Sequence, residues 1–107
     1  MRFFEIINEA RVKGKPLSDD PRYNGSKYVI IYRARLADEN PSFENMDYIT
    51  LNRQWAKQHA DHVAAIEEEP AVVIKAMVPI ETVYEAYNPG EYFYDGKTTV
   101  GKVIYKA

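Results

Sequence analysis

The sequence of 107 residues predicts a single α+β domain, with a twisted sheet of mixed or antiparallel strands and two helices. Two observations predict this class. Strand-like apolar runs over residues 27–36 and 71–78 flank one amphipathic helical stretch over residues 53–66. Strand-like segments then predominate over helices toward the C-terminus, which argues against a doubly wound parallel fold. The length suits one core but not two, so residues 1–107 are expected to form one domain.

The composition is that of an ordinary globular domain and excludes several classes of function. The net charge is −2, which does not indicate a nucleic acid or an anionic membrane as a partner. The chain has no cysteine, which excludes disulfides and thiolate metal sites. No apolar run reaches membrane-spanning length, and the first residues lack a signal-peptide pattern, so we expect a cytoplasmic protein.

Residues 1–12 are predicted to form a short N-terminal helix, because apolar residues recur there at close to helical spacing. These residues are Phe3, Phe4, Ile6, Ile7 and Ala10. Gly14 and Pro16 end the run. A polar loop is expected over residues 13–26, where proline and glycine interrupt regular structure.

Residues 27–36 are the strongest predicted strand. Residues 28–32 are continuously apolar, which is typical of a strand covered on both faces, and the remainder alternates. The polar stretch over residues 37–46 contains Pro41 and is predicted to be a loop or a single turn.

Residues 47–51 are predicted to form a short strand that leads into a helix over residues 53–66. Asn52 is the expected N-cap, because its side chain can accept a hydrogen bond from a free amide of the first turn. A polar hydroxyl at such a junction lies near the positive end of the helix dipole, where ligands often bind. Pro70 ends the helical region. The predicted apolar face comprises Trp55, Ala56, His59, Ala60, Val63 and Ile66.

The C-terminal third is predicted to consist mainly of strands. Residues 71–78 form a second buried strand, and residues 80–87 form a turn or short helix. Residues 88–91 have the composition of a tight turn. Residues 92–94 and 98–105 are then expected to pair as a closing hairpin.

Three polar residues come at the ends of apolar segments and are candidates for a functional site. They are Arg33 after Tyr32, Thr50 after Ile49, and Glu91 after the turn. Each also has a structural interpretation. Arg33 can pair at a sheet edge, Thr50 is a common strand residue, and Glu91 can be a solvated turn carboxylate.

Taken together, the three residues resemble the ADP-ribosyltransferase fold family in their order and setting. That family carries an Arg on an early strand, a Ser or Thr on a later strand that runs into a helix, and a Glu beside a turn near the C-terminal strands. The matching phrases here are Tyr32-Arg33-Ala34, Tyr48-Ile49-Thr50 with the following Leu51 to Ala56, and Asn88-Pro89-Gly90-Glu91. The resemblance spans residues 28–105.

The resemblance implies that NAD is the substrate and that ADP-ribose is transferred to a protein or other macromolecular acceptor. Arg33 would hold the NAD pyrophosphate or the nicotinamide ribose, and Thr50 would support that ribose or orient Glu91. Glu91 would be the catalytic residue, stabilising the oxocarbenium-like state as nicotinamide leaves. The aromatic residues Tyr32, Tyr48 and Tyr92 are the candidates for stacking on the nicotinamide.

The chain also departs from the family pattern. The Ser-Thr-Ser phrase of the family is Thr50-Leu51-Asn52 here, and Pro89 stands where enzymes that modify arginine often carry a second acidic residue. The competing hypothesis is therefore a small non-catalytic binding protein on a similar fold, such as a phage-type inhibitor of a host factor or an accessory subunit. The compact size and nine tyrosines suit that role.

His59 and His62 lie three residues apart in the predicted helix, beside Asp61. This spacing allows a metal pair, but a protein metal site needs more than two converging ligands, and no third ligand follows at a typical spacing. We therefore expect no metal.

Overall fold

Eight strands and one α-helix form within residues 14–107, the part of the chain that the computed structural model describes. They build a single small α+β domain, which confirms the predicted class. The helix predicted over residues 1–12 lies outside the described residues. The elements are β1 (Tyr28–Leu36), β2 (Ser42–Phe43), β3 (Asp47–Ile49), α1 (Arg53–Glu67), β4 (Ala71–Pro79), β5 (Val83–Glu85), β6 (Tyr92–Tyr94), β7 (Thr99–Val100) and β8 (Lys102–Lys106).

The strands are arranged in three small sheets, so the prediction of a single sheet was wrong, and every pairing between named strands is antiparallel. β1, β4 and β8 form the first sheet in that order, and β3, β6 and β5 form another. β2 and β7 make a two-stranded pair. Three short 3-10 turns complete the described chain: Leu17–Asp19, Pro21–Tyr23 and Ile80–Thr82.

β1 is covered on one face along its length but only partly on the other, so the prediction of a strand buried on both faces was wrong. Val29 and Ile31 belong to the main core, whereas Tyr28 and Ile30 are 59% and 42% exposed. Side chains alternate along a strand, so these two exposed residues share a face with Tyr32. The helix packs on that face near Tyr32 and does not cover the start of the strand. The continuous apolar run in the sequence therefore did not show whether one or both faces of β1 are covered.

α1 begins and ends close to its predicted bounds. The Asn52 side chain accepts a hydrogen bond from the Trp55 amide at 3.0 Å, which confirms the predicted N-cap. The buried stripe is narrower than predicted: Ala56 and Ala60 pack against the first sheet, while Trp55 and Ile66 are 50% and 62% exposed. Two alanines let the helix lie close to the sheet, which leaves the larger neighbouring side chains at the margins of the contact.

The predicted closing hairpin was wrong. β6 pairs with β3 and β5, whereas β8 pairs with β4, so these two strands lie in different sheets. The intervening Thr99–Val100 segment pairs with β2, inside the stretch that was predicted to be a loop. Pairing of this kind is set by contacts between distant segments, which a local pattern of alternation does not specify.

Two further short elements follow β4. The segment predicted as a turn or short helix begins with the 3-10 turn Ile80–Thr82 and continues as β5. Within residues 14–107, no helix is both long and apolar enough to span a membrane.

Candidate functional site

A seam between β1 and β3 creates a cavity beside the start of α1. The two strands meet at one isolated bridge, in which the Tyr32 and Thr50 amides each donate to the carbonyl of the other residue, at 2.9 and 3.0 Å. The ladders of the two strands then continue with different partners, β4 for β1 and β6 for β3. Two sheets that share one bridge diverge on either side of it, and this leaves a gap beside the start of α1.

The gap forms a cavity of about 300 Å³, which we call the main cavity. Its lining comes from three segments that are far apart in sequence: β1, the stretch from β3 into the first turns of α1, and the turn before β6. The lining residues are Tyr32, Arg33, Ala34, Tyr48, Ile49, Thr50, Trp55, Ala56, His59, Gly90 and Glu91.

The structure brings five of the six sequence-predicted site residues to this cavity. Arg33, Thr50 and Glu91 all line it, and so do Tyr32 and Tyr48. Tyr92 does not line it. Its partly buried side chain packs against the main core and borders a neighbouring depression.

Arg33 is held between the two strands. Its Nη1 donates to the Tyr48 carbonyl at 2.8 Å and lies 3.5 Å from Asp47 Oδ1. Nε is buried and has no hydrogen-bond partner within residues 14–107. Burial lowers the pKa of Arg33, an effect that the nearby Asp47 carboxylate opposes. Arginine keeps its charge despite such shifts, so Arg33 places a fixed cation at the cavity.

Arg35 supports this arrangement from the same face of β1. Its Nη2 donates to Asp47 Oδ2 at 3.0 Å, and its Nε donates to the Ser42 carbonyl at 3.0 Å. Asp47 therefore pairs with two arginines: Oδ2 binds Arg35, and Oδ1 lies near Arg33. The hydrogen bond of Arg33 Nη1 goes to the Tyr48 carbonyl. This network fixes the position of the guanidinium at the seam.

Thr50 lies where β3 passes into α1. Its Oγ1 accepts a hydrogen bond from the Asn52 amide at 3.0 Å, and Asn52 in turn caps the helix. The hydroxyl retains its own hydrogen for donation, because this bond uses only an oxygen lone pair. Thr50 can therefore donate to a ligand in the main cavity without disturbing the cap.

Glu91 is presented by the predicted tight turn. The Glu91 amide donates to the Asn88 carbonyl at 3.1 Å, and Gly90 has a positive φ of +84°. The Asn88 side-chain amide donates to Glu91 Oε1 at 3.1 Å. This bond orients the carboxylate and occupies one of its oxygen atoms, while Oε2 has no hydrogen bond within residues 14–107. Glu91 thus offers an acceptor at the main cavity.

Two functional candidates were missed in the sequence. Trp55 and His59 both line the main cavity, although the sequence pattern assigned them to the buried face of the helix. They are four positions apart and so share one helix face, displaced by one position from the buried pair Ala56 and Ala60. The sequence did contain a signal for this arrangement, because each large residue directly precedes an alanine. The two alanines allow close packing against the sheet, so the large residues beside them lie at the edge of the helix–sheet contact.

The two histidines of the helix do not act together at the cavity. His59 lines it and His62 does not. Within residues 14–107, no three histidine, aspartate or glutamate side chains are grouped as metal ligands.

The cavity combines a cation, a hydroxyl, a carboxylate and several aromatic rings. Such a lining suits a small ligand that has hydroxyl groups and a flat ring. No protein-family model matches this chain, and comparisons with curated proteins and with solved structures also found no match.

Proposed function

We propose that the main cavity binds the nicotinamide–ribose end of NAD and that the protein transfers ADP-ribose to a macromolecular acceptor. One observation carries this proposal: Arg33, Thr50 and Glu91, separated by 17 and 41 positions in the sequence, line one cavity of about 300 Å³. That volume is at the lower end of the range for small-molecule pockets, about 300–1,000 Å³. It suits one half of a dinucleotide.

In the proposed reaction, the bond between ribose C1′ and the nicotinamide nitrogen breaks, and its electron pair neutralises the pyridinium ring. Glu91 accepts a hydrogen bond from a ribose hydroxyl and stabilises the positive charge that develops at C1′. A nucleophilic atom of the acceptor then forms the new bond at C1′ and loses its proton to water. Thr50 donates to the ribose, and Arg33 supplies a cation for the adjoining phosphate.

The aromatic residues of the cavity suit the leaving group. Tyr32, Tyr48 and Trp55 present rings at its walls, and a flat cationic ring is attracted to aromatic faces. Tyr48 itself is supported from behind by Phe93, with ring centroids 4.7 Å apart. These contacts favour the nicotinamide end over an aliphatic ligand of similar size.

Binding and transfer are tested separately. NAD is titrated into the protein while its melting temperature and the fluorescence of Trp55 are followed, because a ligand that binds only the folded state stabilises it, by about 2.7 kcal/mol at 100 times Kd. Transfer is then measured with labelled NAD and a set of candidate acceptor proteins. No change in either signal at millimolar NAD would contradict the proposal.

The Glu91→Gln variant assigns the chemistry. It keeps the size of the side chain and one acceptor oxygen but removes the charge, so we expect NAD binding to persist and transfer to fall by at least about 100-fold. Glu81→Gln is the matched control, because Glu81 is an exposed glutamate that does not line the main cavity. Equal transfer by the wild type and Glu91→Gln would remove Glu91 from the mechanism.

A non-catalytic binding protein is the second candidate, and one surface feature favours it. Ile30 and Met77 are paired across β1 and β4, and they are 42% and 67% exposed beside the equally uncovered Tyr28. Contiguous apolar surface of this kind is often an interaction site. Sedimentation of the wild type and of Met77→Lys tests whether this surface mediates self-association. Concentration-dependent association of the wild type that is absent in Met77→Lys supports this candidate. If both proteins sediment as monomers, the surface does not mediate self-association.

A further inference from the structure

A second depression adjoins the main cavity and shares Thr50, Trp55 and Gly90 with it. We call it the side depression; its volume is about 250 Å³. The residues that line it but not the main cavity are Arg22, Tyr23, Leu51, Asn52 and Tyr92. The two hollows therefore meet along the contact between the Trp55 ring and the Gly90 backbone, and a ligand that fills one can extend into the other.

The size of the main cavity makes such an extension necessary for a dinucleotide. Binding pockets bury most of the surface of their ligands, and a cavity near the lower end of the usual volume range has room for only part of a long molecule. A ligand held by its nicotinamide–ribose half must direct its phosphates and second nucleoside outward. The side depression provides a contiguous surface for them.

Arg22 supplies the charge of the side depression. It belongs to the 3-10 turn Pro21–Tyr23, and its side chain is 71% exposed. Its Nε and Nη2 donate to the Asp20 carboxylate at 3.2 and 2.7 Å, and its guanidinium carbon lies 5.8 Å from the centre of the Tyr23 ring. These contacts restrict the direction of the side chain before any ligand binds.

The guanidinium still has donors to offer. Nη1 has no hydrogen-bond partner within residues 14–107, and a planar guanidinium matches the geometry of a phosphate. Asp20 offsets part of the charge, but it also holds the group in place, so less conformational entropy is lost on binding. The Tyr23 and Tyr92 rings that border the depression are suited to contact a nucleoside.

We infer that the side depression receives the phosphate-bearing adenosine half of NAD and that Arg22 is its phosphate contact. This inference rests on the proposed function, in which the nicotinamide half occupies the main cavity. It gives Tyr92, which lies outside the main cavity, a place beside the second half of the same ligand. Arg22 thereby becomes a binding residue for NAD.

The test compares NAD with a ligand that has the nicotinamide and its ribose but neither phosphate nor the adenosine. NAD and nicotinamide riboside, which lacks phosphate, are titrated into the wild type and into Arg22→Gln by calorimetry. We expect Arg22→Gln to weaken NAD binding about tenfold, equivalent to about 1.4 kcal/mol, and to leave nicotinamide riboside binding unchanged. Arg22→Lys keeps the charge without the planar fork and should fall between the two.

Arg53→Gln is the matched control, because Arg53 is an exposed arginine at the start of α1 that lines neither hollow. It should bind both ligands as the wild type does. Melting temperatures of the four proteins check that folding is unchanged, as expected for an exposed side chain. Inorganic pyrophosphate is titrated in parallel to distinguish a dinucleotide site from a general anion site.

Each contrary result has a separate meaning. Unchanged NAD binding by Arg22→Gln overturns the role of Arg22 and leaves the proposed function intact. Equal weakening of NAD and nicotinamide riboside, or pyrophosphate binding as tight as that of NAD, also overturns the inference. Failure of the wild type to bind either nicotinamide ligand overturns the proposed function, and the inference with it.

Discussion

The ring of Trp55 lies directly against the backbone of Gly90, so that a Cβ atom added to Gly90 would be 2.4 Å from Trp55 Cζ3. This contact joins the first turn of α1 to the turn that carries Glu91. The main cavity and the side depression both border it. The position of the candidate catalytic carboxylate therefore depends on a glycine and a tryptophan that are 35 positions apart.

Replacing Gly90 by alanine should destabilise the protein in two ways. Gly90 has a φ of +84°, a conformation that costs an alanine about 1–2 kcal/mol, and the new Cβ would overlap the Trp55 ring, which adds about 1–3 kcal/mol. Urea denaturation followed by circular dichroism measures the sum. Gly25→Ala is the control, because Gly25 has a φ of +85° with no atom within 4 Å of the added Cβ.

The difference between the two glycine variants isolates the Trp55 contact. In a Trp55→Ala background, the extra cost of Gly90→Ala should disappear, because the ring is no longer present. Equal losses for Gly90→Ala and Gly25→Ala in the wild-type background would show that the turn moves away from the ring without cost.

Arg33 should contribute to stability as well as to any ligand site. Its Nη1 donates to the Tyr48 carbonyl, and only 27% of its side chain is exposed. Arg33→Ala removes this charged hydrogen-bond donor and should lower the free energy of unfolding by about 1–3 kcal/mol. Urea denaturation measures this free energy. The exposed Arg53→Ala should change it by less than about 0.5 kcal/mol. Similar losses of unfolding free energy for both variants would contradict a role for Arg33 in joining β1 to β3.

The cap of α1 gives a third prediction. Asn52→Ala removes the acceptor of the Trp55 amide and should lower the free energy of unfolding by about 1 kcal/mol. Asn52→Asp provides an equivalent oxygen and should restore most of the loss. Thermal and urea denaturation of the three proteins measure both effects. An Asn52→Asp variant as unstable as Asn52→Ala would show that the side-chain amide has another role.

Glu44 makes stability dependent on pH. Hydrogen bonds from Ser42 Oγ at 2.6 Å and from Thr98 Oγ1 at 2.7 Å lower the pKa of this carboxyl group. The unfolded chain therefore binds the proton more readily than the folded one. The ionised Glu44 carboxylate therefore stabilises the folded state above the ordinary pKa of 4.5. This stabilisation is lost as the pH falls through the lower pKa that Glu44 has in the folded state.

Denaturation in urea at a series of pH values below about pH 6 measures this dependence. Glu44→Gln keeps one of the two acceptor oxygens and cannot titrate, so its stability should fall less steeply with decreasing pH than that of the wild type. Glu81→Gln removes an exposed glutamate elsewhere and should leave the slope as it is. Parallel curves for wild type and Glu44→Gln would contradict the assignment.

Local features of the fold were predictable because neighbours in sequence decide them. The N-cap at Asn52 and the turn before Glu91 depend on side chains within three positions, and both were found as predicted. β1 and β4 were also recognisable from their apolar runs. The partners of β6 and β8 were not, because antiparallel pairing depends on which distant strand presents a matching face and free edge.

The residues of the candidate site also fall into two groups, those predictable from local sequence and those decided by tertiary packing. Arg33, Thr50 and Glu91 could be selected from the sequence, since each has a distinct chemistry at the end of a recognisable segment. Trp55 and His59 could not be assigned correctly, because their exposure depends on how α1 is rotated against the sheet. Arg22 gave no signal in the sequence; its importance arises only from the proximity of its turn to Thr50 and Trp55.

The sequence by itself determined the α+β class, the helix with its cap, the two long strands and the turn that carries Glu91. The tertiary structure alone decided that β1 and β3 share a single bridge and then diverge, which produces the main cavity. The physical reason is that helix caps and turns form through bonds between near neighbours. A cavity between two sheets depends instead on long-range packing, in which small differences in side-chain volume decide where the backbone can approach.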